Sequence, residues 1–301
     1  MKTRAGFLLN LSLTMALAAA AACFARAQEE DTLRAAAGPF ATFFAVHMEA
    51  NELSHGKYQA EQWPNLIKFV ETADKYDAKL TLLFNPQWAE FVLQDEKKLA
   101  VVKGWQKNGH EVGLHFHWVR HGDWNGYTNR KDGKYTNDPR YRGPVGEMMT
   151  LIAKLAEPDK ILTMCMGPEP KVDSPGEVEI DETDYPDGIL YDLDGMNLGV
   201  GKPVKTRFGE KELVHLWHHF FASPRRTEHL DRIREEFTKA GADEVLGVVT
   251  HEADFGRDPE FIELWFKFCS EQNVKIKTVR SIIAEYPKDK IAEVKYSPTT
   301  E

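Results

Sequence analysis

The sequence predicts an α/β fold in which seven to eight parallel strands form a partly closed or distorted (β/α) barrel. Apolar, β-prone runs alternate with amphipathic segments of about ten to fifteen residues, which implies parallel strands joined by helical crossovers. About seven such units follow one another without a linker or an internal repeat. Because barrels of this length are often a single domain, we expect one barrel with one large core.

The predicted elements follow in order along the chain. Strands are expected where apolar and branched side chains run together, over 40–49, 79–84, 111–117, 161–166, 245–250 and 274–279. Helices are expected where apolar residues recur three and four positions apart, over 60–76, 96–107, 145–156, 228–240 and 259–272. The run 212–221 alternates as a strand does, but it is also compatible with a helix. Two long irregular segments, 119–143 and 167–205, should lie at the carboxyl ends of the strands, where loops of this length usually carry function.

The amino-terminal segment 1–27 has the features of a secretory signal peptide. It has a basic start, an apolar stretch and the sequence Ala-Arg-Ala at its end. We expect cleavage after Ala27, a barrel over 28–287, a polar tail over 288–301, and a secreted or periplasmic location. Cys23 offers a weak lipoprotein site as an alternative. Since no other apolar run approaches the ~20 residues that a membrane helix needs, we expect no membrane span.

The charge of the chain argues against two classes of partner. The net charge is −9, and loss of residues 1–27 would remove three cations and no acid, taking it to −12. Such an acidic protein is not suited to binding nucleic acid or an anionic lipid surface. Cys165 and Cys269 stand in apolar surroundings, so buried thiols are favoured over a disulfide. No feature of the sequence indicates an oligomeric state.

The predicted strand 111–117 ends in a His-x-His pair. Residues 109–117 read Gly-His-Glu-Val-Gly-Leu-His-Phe-His. Side chains two apart on a strand point to the same side, with Cα atoms about 6.6–6.8 Å apart. His115 and His117 could therefore converge on one metal ion, and His121 lies close enough along the chain to replace His117.

Two further strands end in groups that could join this pair. The first strand ends in His47 and Glu49, which alternate in the same way, and a late strand ends in His251. In a parallel barrel these strand ends open on one face, so imidazoles and a carboxylate would surround one point. Two histidines and a carboxylate with room for water are typical of a catalytic metal site.

The segment 109–115 resembles the second motif of the polysaccharide deacetylase superfamily, a Gly-His-Glu-aliphatic-Gly-x-His run that leads to its metal histidines. Further landmarks fall in the same order: a first strand ending at a carboxylate, a Tyr-Asp-Leu-Asp stretch over 191–194, and a late strand ending in histidine. The resemblance covers 40–287. It implies a partly closed (β/α) barrel and a divalent metal, most often zinc, that serves to remove N- or O-acetyl groups from sugars.

The resemblance also implies roles for single residues. His115 would be a metal ligand, and His251 would be the general acid that protonates the leaving group. His47 and Glu49 occupy the region of the superfamily's Asp-Asp pair. Because that pair is absent here, we assign Glu49 as the carboxylate ligand and His47 as a candidate base. The Arg-x-Pro motif of the superfamily is also replaced, by Met-Gly-Pro-Glu-Pro over 166–170.

The second metal histidine of the superfamily comes four residues after the first, where this chain has Val119. Either His117 or His121 must then complete the site, and strand geometry favours His117. The predicted metal set is therefore Glu49, His115 and His117.

The loop after this strand could bind the sugar. Trp124, Tyr127 and His121 are candidate substrate-binding residues, since flat aromatic faces pair with the apolar faces of pyranose rings. The alternative is a loop that needs large residues to pack itself. Another cluster, His215, His218 and His219, stands among aromatic residues, where packing is favoured over ligation or a place in the sugar cleft.

Together these patterns predict a metal-dependent hydrolase that removes acetyl groups from a carbohydrate. One alternative is a carbohydrate-binding protein with little or no catalysis on the same scaffold, motivated by the missing Asp pair and Arg-x-Pro motif. Another is a metal-dependent amidohydrolase, whose barrels also use His-x-His. In those enzymes the pair normally ends the first strand, whereas here it ends the third.

Overall fold

The computed structural model describes residues 38–49, 56–119, 121–167, 182–194, 199–208, 211–221 and 226–293. The predicted signal peptide 1–27, residues 168–181 and 195–198 of the irregular segment 167–205, and residues 294–301 of the predicted tail lie outside the described residues. No helix in the described ranges is both long and apolar enough to cross a membrane.

Seven strands form a continuous parallel sheet. They are β1 (Ala41–His47), β2 (Thr81–Phe84), β3 (Glu111–His117), β4 (Thr163–Gly167), β5 (Tyr191–Asp194), β8 (Lys211–Trp217) and β10 (Val245–His251). Their hydrogen-bonded order is β8-β5-β4-β3-β2-β1-β10, and every neighbouring pair is parallel. The predicted fold class, a distorted (β/α) barrel of seven to eight parallel strands, is confirmed.

The ring closes through a short bridge. Strand β8 continues past His218 into β9 (His219–Phe220), which pairs in parallel with β10. The end of β8 approaches β10 closely at Gly247, where an added Cβ would lie 2.1 Å from the carbonyl oxygen of Trp217. The ambiguous run 212–221 is thus strand, because it is hydrogen-bonded to β5 at its start and to β10 at its end.

Three short strands, which the sequence did not predict, extend the sheet. They are β6 (Val200–Gly201), β7 (Val204–Phe208) and β11 (Ala292–Glu293). β7 is antiparallel to β8, and β11 is parallel to β7. Ile291, which directly precedes β11, is also buried.

Nine helices lie in the described residues. They are α1 (Lys57–Lys75), α2 (Pro86–Leu93), α3 (Glu96–Lys107), α4 (Gly133–Thr136), α5 (Val145–Ala156), α6 (Arg226–Lys239), α7 (Glu252–Arg257), α8 (Pro259–Glu271) and α9 (Val279–Glu285). The sequence analysis missed α2, whose start is marked by Asn85 accepting a hydrogen bond from the Trp88 N–H and by proline at the first helical position.

The prediction of a last strand over 274–279 is wrong. Only Ile276 makes a β-bridge, to Thr42, and Thr278 then caps α9. Ile276 lies beside the amino end of β1, ahead of Ala45 where β1 begins to pair with β2, so the segment makes this single bridge before α9 starts. Helix α9 instead packs its isoleucines, Ile282 and Ile283, into the barrel interior.

Parallel register decides which side chains enter the barrel. His47 is opposite His251 and Leu83, and His115 is opposite Cys165. These residues share the inward face, whereas Leu114 and Phe116 of β3 pack outward against the helices. Both faces of β3 are buried, so the His-x-His pair does not lie on a solvated surface.

Candidate metal centre

The carboxyl ends of β1, β3 and β10 bring four predicted site residues together. The Oε1 atom of Glu49 lies 3.0 Å from His115 Nε2, 3.7 Å from His117 Nε2 and 3.3 Å from His251 Nε2. The ligand atoms of Glu49, His115 and His117 lie within 4.8 Å of one another. The predicted metal set is therefore assembled at the end of the barrel where sites form.

Hydrogen bonds fix the ring orientation of the two strand histidines. The Nδ1 atom of His115 lies 3.2 Å from the Cys165 carbonyl oxygen, and Nδ1 of His117 lies 3.2 Å from the Asp123 carbonyl oxygen. Because a carbonyl oxygen only accepts, each Nδ1 must carry the hydrogen. The Nε2 atom of each ring then faces Glu49, and that of His115 lies within hydrogen-bond distance of Glu49 Oε1, at 3.0 Å. Backbone carbonyl groups that do not themselves bind the metal commonly orient metal-binding histidines in this way.

The charges at this point favour a cation. Burial, reinforced by the neighbouring His115, lowers the pKa of His117 to about 3, so its ring is neutral. Burial alone would raise the pKa of Glu49, but His115, His117 and His251 outweigh it and hold that pKa well below its usual range. The Glu49 carboxylate and His115 Nε2 share a proton in their hydrogen bond, and a bound cation would take the place of that proton. The donor set fits a divalent ion with an open coordination position.

Several groups that the sequence analysis did not single out support Glu49. Glu252 accepts a hydrogen bond from the Glu49 N–H at 2.9 Å and another from the Tyr58 hydroxyl. The indole N–H of Trp88 donates to the Glu49 carbonyl. Burial raises the pKa of Glu252 to about 8. The position of Glu252, directly after His251, was the available signal in the sequence.

Asn125 supports His117. Its side-chain oxygen accepts the His117 N–H at 2.6 Å, its own N–H donates to the His117 carbonyl, and its amide group donates to Gln87. These bonds tie the loop after β3 to the end of the strand. The loop therefore positions the second histidine of the site.

The two predicted catalytic histidines differ in exposure. The side chain of His251 is 34% exposed and lies against Phe220 at the mouth of the site. Burial lowers its pKa, while Glu49 opposes that shift. His47 is 7% exposed and stacks on His115 with ring centroids 4.1 Å apart. Its pKa is held well below the usual range by burial and then by the surrounding histidines.

The three predicted substrate-binding residues are placed differently. His121 lies beside the site, with its ring stacked on His117 at 3.9 Å. His117, not His121, therefore joins Glu49 and His115 in the ligand group. Trp124 and Tyr127 are buried and pack within the loop, where the Trp124 indole N–H donates to the Tyr127 carbonyl. Their rings are not presented to the site, which agrees with the alternative of a self-packing loop.

The fold has clear relatives among solved structures. No family model and no curated protein matches this sequence. A protein from Mycobacterium smegmatis assigned as a polysaccharide deacetylase superposes with a TM-score of 0.54 and 12% identity, covering 87% of this chain and 94% of that one. The chain has the fold of the polysaccharide deacetylases. The resemblance predicted from residues 109–115 is confirmed at that level.

A branching enzyme and a glucanotransferase share the fold as well. A GH57-type branching enzyme from Pyrococcus horikoshii superposes with a TM-score of 0.55 and 12% identity, covering 86% of this chain and 72% of that one. A 4-alpha-glucanotransferase from Thermococcus litoralis gives a TM-score of 0.51 and 11% identity, covering 81% of this chain and 38% of that one. At these identities the likeness shows the fold alone, so the function must be argued from the site.

Proposed function

We propose that the protein is a metal-dependent hydrolase that removes acetyl groups from a carbohydrate. The observation that carries the proposal is the convergence of the Glu49 carboxylate with the Nε2 atoms of His115 and His117 at the carboxyl end of the barrel. Glycosidases generally use a pair of carboxylates, whereas imidazole and carboxylate ligands are typical of catalytic zinc. The site therefore favours deacylation over cleavage of a glycosidic bond.

Glu49, His115 and His117 would hold the divalent ion, which we propose to be zinc. When bound, the ion supplies activation of water at neutral pH and polarisation of the acyl carbonyl. His47 or a nearby carboxylate takes the proton of the attacking water. His251 protonates the leaving amine or hydroxyl, because it is the most exposed imidazole of the group and lies 3.3 Å from Glu49. We also propose a secreted or periplasmic location, on the signal-like segment 1–27.

A carbohydrate-binding protein without catalysis is the second candidate. The observation that favours it is the position of His47, which is nearly buried and stacked on His115 instead of facing the opening. An amidohydrolase is less well supported, since the His-x-His pair ends the third strand of the barrel and not the first.

Metal content tests the site directly. Elemental analysis of the wild type, His115→Ala and His110→Gln should show that only His115→Ala loses about one ion per chain. An assay of acetate release should show that only His115→Ala also loses activity. His110→Gln is the matched control, because His110 belongs to the same motif but lies at the opposite end of β3. A wild type that neither holds metal nor takes up zinc would overturn the proposal.

His251→Ala separates the two candidate functions. For a hydrolase we expect full metal content and a turnover on acetylated saccharides reduced by roughly 10²–10⁴. If the wild type binds these saccharides without releasing acetate, and His251→Ala binds them equally well, the protein is a binding protein.

A further inference from the structure

A second ligand cluster lies in the barrel interior beside the first. His47 at the end of β1, Cys165 in β4 and His218 between β8 and β9 place one ligand atom each within 4.8 Å of one another. All three side chains are buried, with exposures of 7%, 5% and 3%. They come from strands on different sides of the ring, so only closure of the barrel brings them together.

Two nitrogen atoms of this cluster have no protein partner. His47 Nε2 and His218 Nδ1 are both fully enclosed and make no hydrogen bond. Buried polar atoms without a hydrogen-bond partner are rare in folded proteins, so these two nitrogen atoms call for a ligand. Burial also holds the pKa of His218 down, to about 3, so its ring is neutral and offers a lone pair.

The chemistry of the three donors selects the kind of ligand. A thiol and two imidazoles are soft to borderline donors, which suit Zn²⁺ or Cu⁺ and do not suit Mg²⁺ or Ca²⁺. Cys165 and Cys269 are both buried, and neither forms a disulfide. The thiol would lose its proton on binding, which is the usual course for a metal-bound cysteine.

We propose that His47, Cys165 and His218 form a second metal site, for a thiophilic ion such as Zn²⁺ or Cu⁺, behind the Glu49–His115–His117 site. The two sites touch through His115, whose ring stacks on His47 and whose Nδ1–H donates to the Cys165 carbonyl. An ion in the inner site would therefore fix the orientation of His115. His47 would then be a metal ligand, and not the base that takes the proton of the attacking water.

Cobalt substitution tests this site independently of the proposed hydrolase function. The full chain is stripped with a chelator and titrated with Co²⁺, and ligation by sulfur is read from the thiolate-to-cobalt charge-transfer absorption in the near ultraviolet. We expect this band in the wild type, in His115→Ala and in Cys269→Ser. It should be lost in Cys165→Ser and lost or weakened in His218→Gln. Cys269→Ser is the matched control, because Cys269 is a buried cysteine on α8, remote from the cluster.

Each outcome decides the matter. A wild type without the band, or a band that persists in Cys165→Ser, overturns the second site. Loss of the band in His115→Ala would show one shared site in place of two. Circular dichroism melting of each variant shows whether it folds. Should Cys165→Ser fail to fold, loss of the band in folded His218→Gln supports the site, and its full retention there overturns it. The proposed hydrolase can fail, with no acetate released, while the band remains, so the two failures are distinguishable.

Discussion

Strand β3 has buried histidines at both ends, and the two ends differ in the hydrogen-bond partners of these histidines. His110 and Glu111 lie at the amino end, and His115 and His117 lie at the carboxyl end. At the amino end every polar atom meets a complementary partner. At the carboxyl end the Nε2 atoms of His115 and His117 converge on the same carboxylate oxygen of Glu49, at 3.0 Å and 3.7 Å. The difference shows that hydrogen-bond pairing, and not residue type, separates a structural group from a candidate ligand.

The amino end is paired in detail. His110 accepts the Leu80 N–H on Nδ1 at 3.0 Å, and its Nε2–H donates to Asp74 at 3.1 Å. The Glu111 carboxylate accepts hydrogen bonds from the hydroxyls of Thr81 and Thr163 and from the Arg280 N–H. Burial raises the pKa of Glu111, although these donors oppose the shift. This end holds strands β2, β3 and β4 to the start of α9.

The glycine of the same motif is explained by packing. A Cβ at Gly113 would lie 2.5 Å from the Leu83 side chain and 2.6 Å from the Thr163 carbonyl oxygen. The motif therefore places three features close together along the chain. These are a histidine with both ring nitrogens hydrogen-bonded, a glycine that allows close packing, and the candidate metal-binding pair His115 and His117.

The largest contrast should come from matched carboxylate variants at the two ends. Glu49→Gln removes the charge that faces the Nε2 atoms, so we expect loss of the bound ion. Turnover should fall by more than roughly 100-fold, which is the loss expected when a residue that only hydrogen-bonds to a metal ligand is replaced. Glu111→Gln places an amide N–H₂ group against hydrogen-bond donors, so we expect a loss of about 1–3 kcal/mol in stability and no loss of metal. Elemental analysis, acetate release and urea unfolding measure these effects. Retention of the ion by Glu49→Gln, or its loss from Glu111→Gln, would contradict the assignment of metal binding to the carboxyl end of β3 alone.

A smaller effect is expected at the loop that supports the carboxyl end. Asn125→Ala removes the acceptor of the His117 N–H, so the affinity for zinc should fall by about 10–100-fold. Asn129→Ala is the control, since Asn129 accepts the Val145 N–H in the same loop without touching a ligand. Competition with a chelator measures the affinity. Equal losses in both variants would indicate that only the general order of the loop matters.

The smallest effect concerns pH. Burial lowers the pKa of His110 below its ordinary value of 6.5, and Asp74 offsets this only in part. Below that ordinary value the unfolded chain takes up a proton that the folded protein does not, so stability falls as the pH falls. His110→Gln should therefore lose less stability than the wild type between about pH 7 and about pH 5. Urea unfolding at both pH values measures the difference. A larger loss in the variant would contradict the assignment.

Local sequence pattern was sufficient for much of the barrel. The alternation of apolar runs and amphipathic segments predicted β1, β2, β3, β4 and β10, because buried strands and amphipathic helices have distinct periods. It also predicted that these strands run parallel to one another. It also predicted the His115–His117 pair, since alternation along one strand fixes which side chains share a face. It failed over 274–279, where only Ile276 bridges to β1 before helix α9 begins.

The sequence by itself determined the type of fold, the strand ends at which chemistry could gather, and the identity of Glu49, His115, His117 and His251 as candidates. Tertiary structure decided the rest, because the relevant contacts join residues far apart in the chain. Cys165 reaches His115 across 50 positions, and the ring closes only where β9 meets β10. Packing buried Trp124 inside its loop, and barrel closure placed His218 beside His47. No local pattern encodes such pairings, since they depend on which strands become neighbours in the folded sheet.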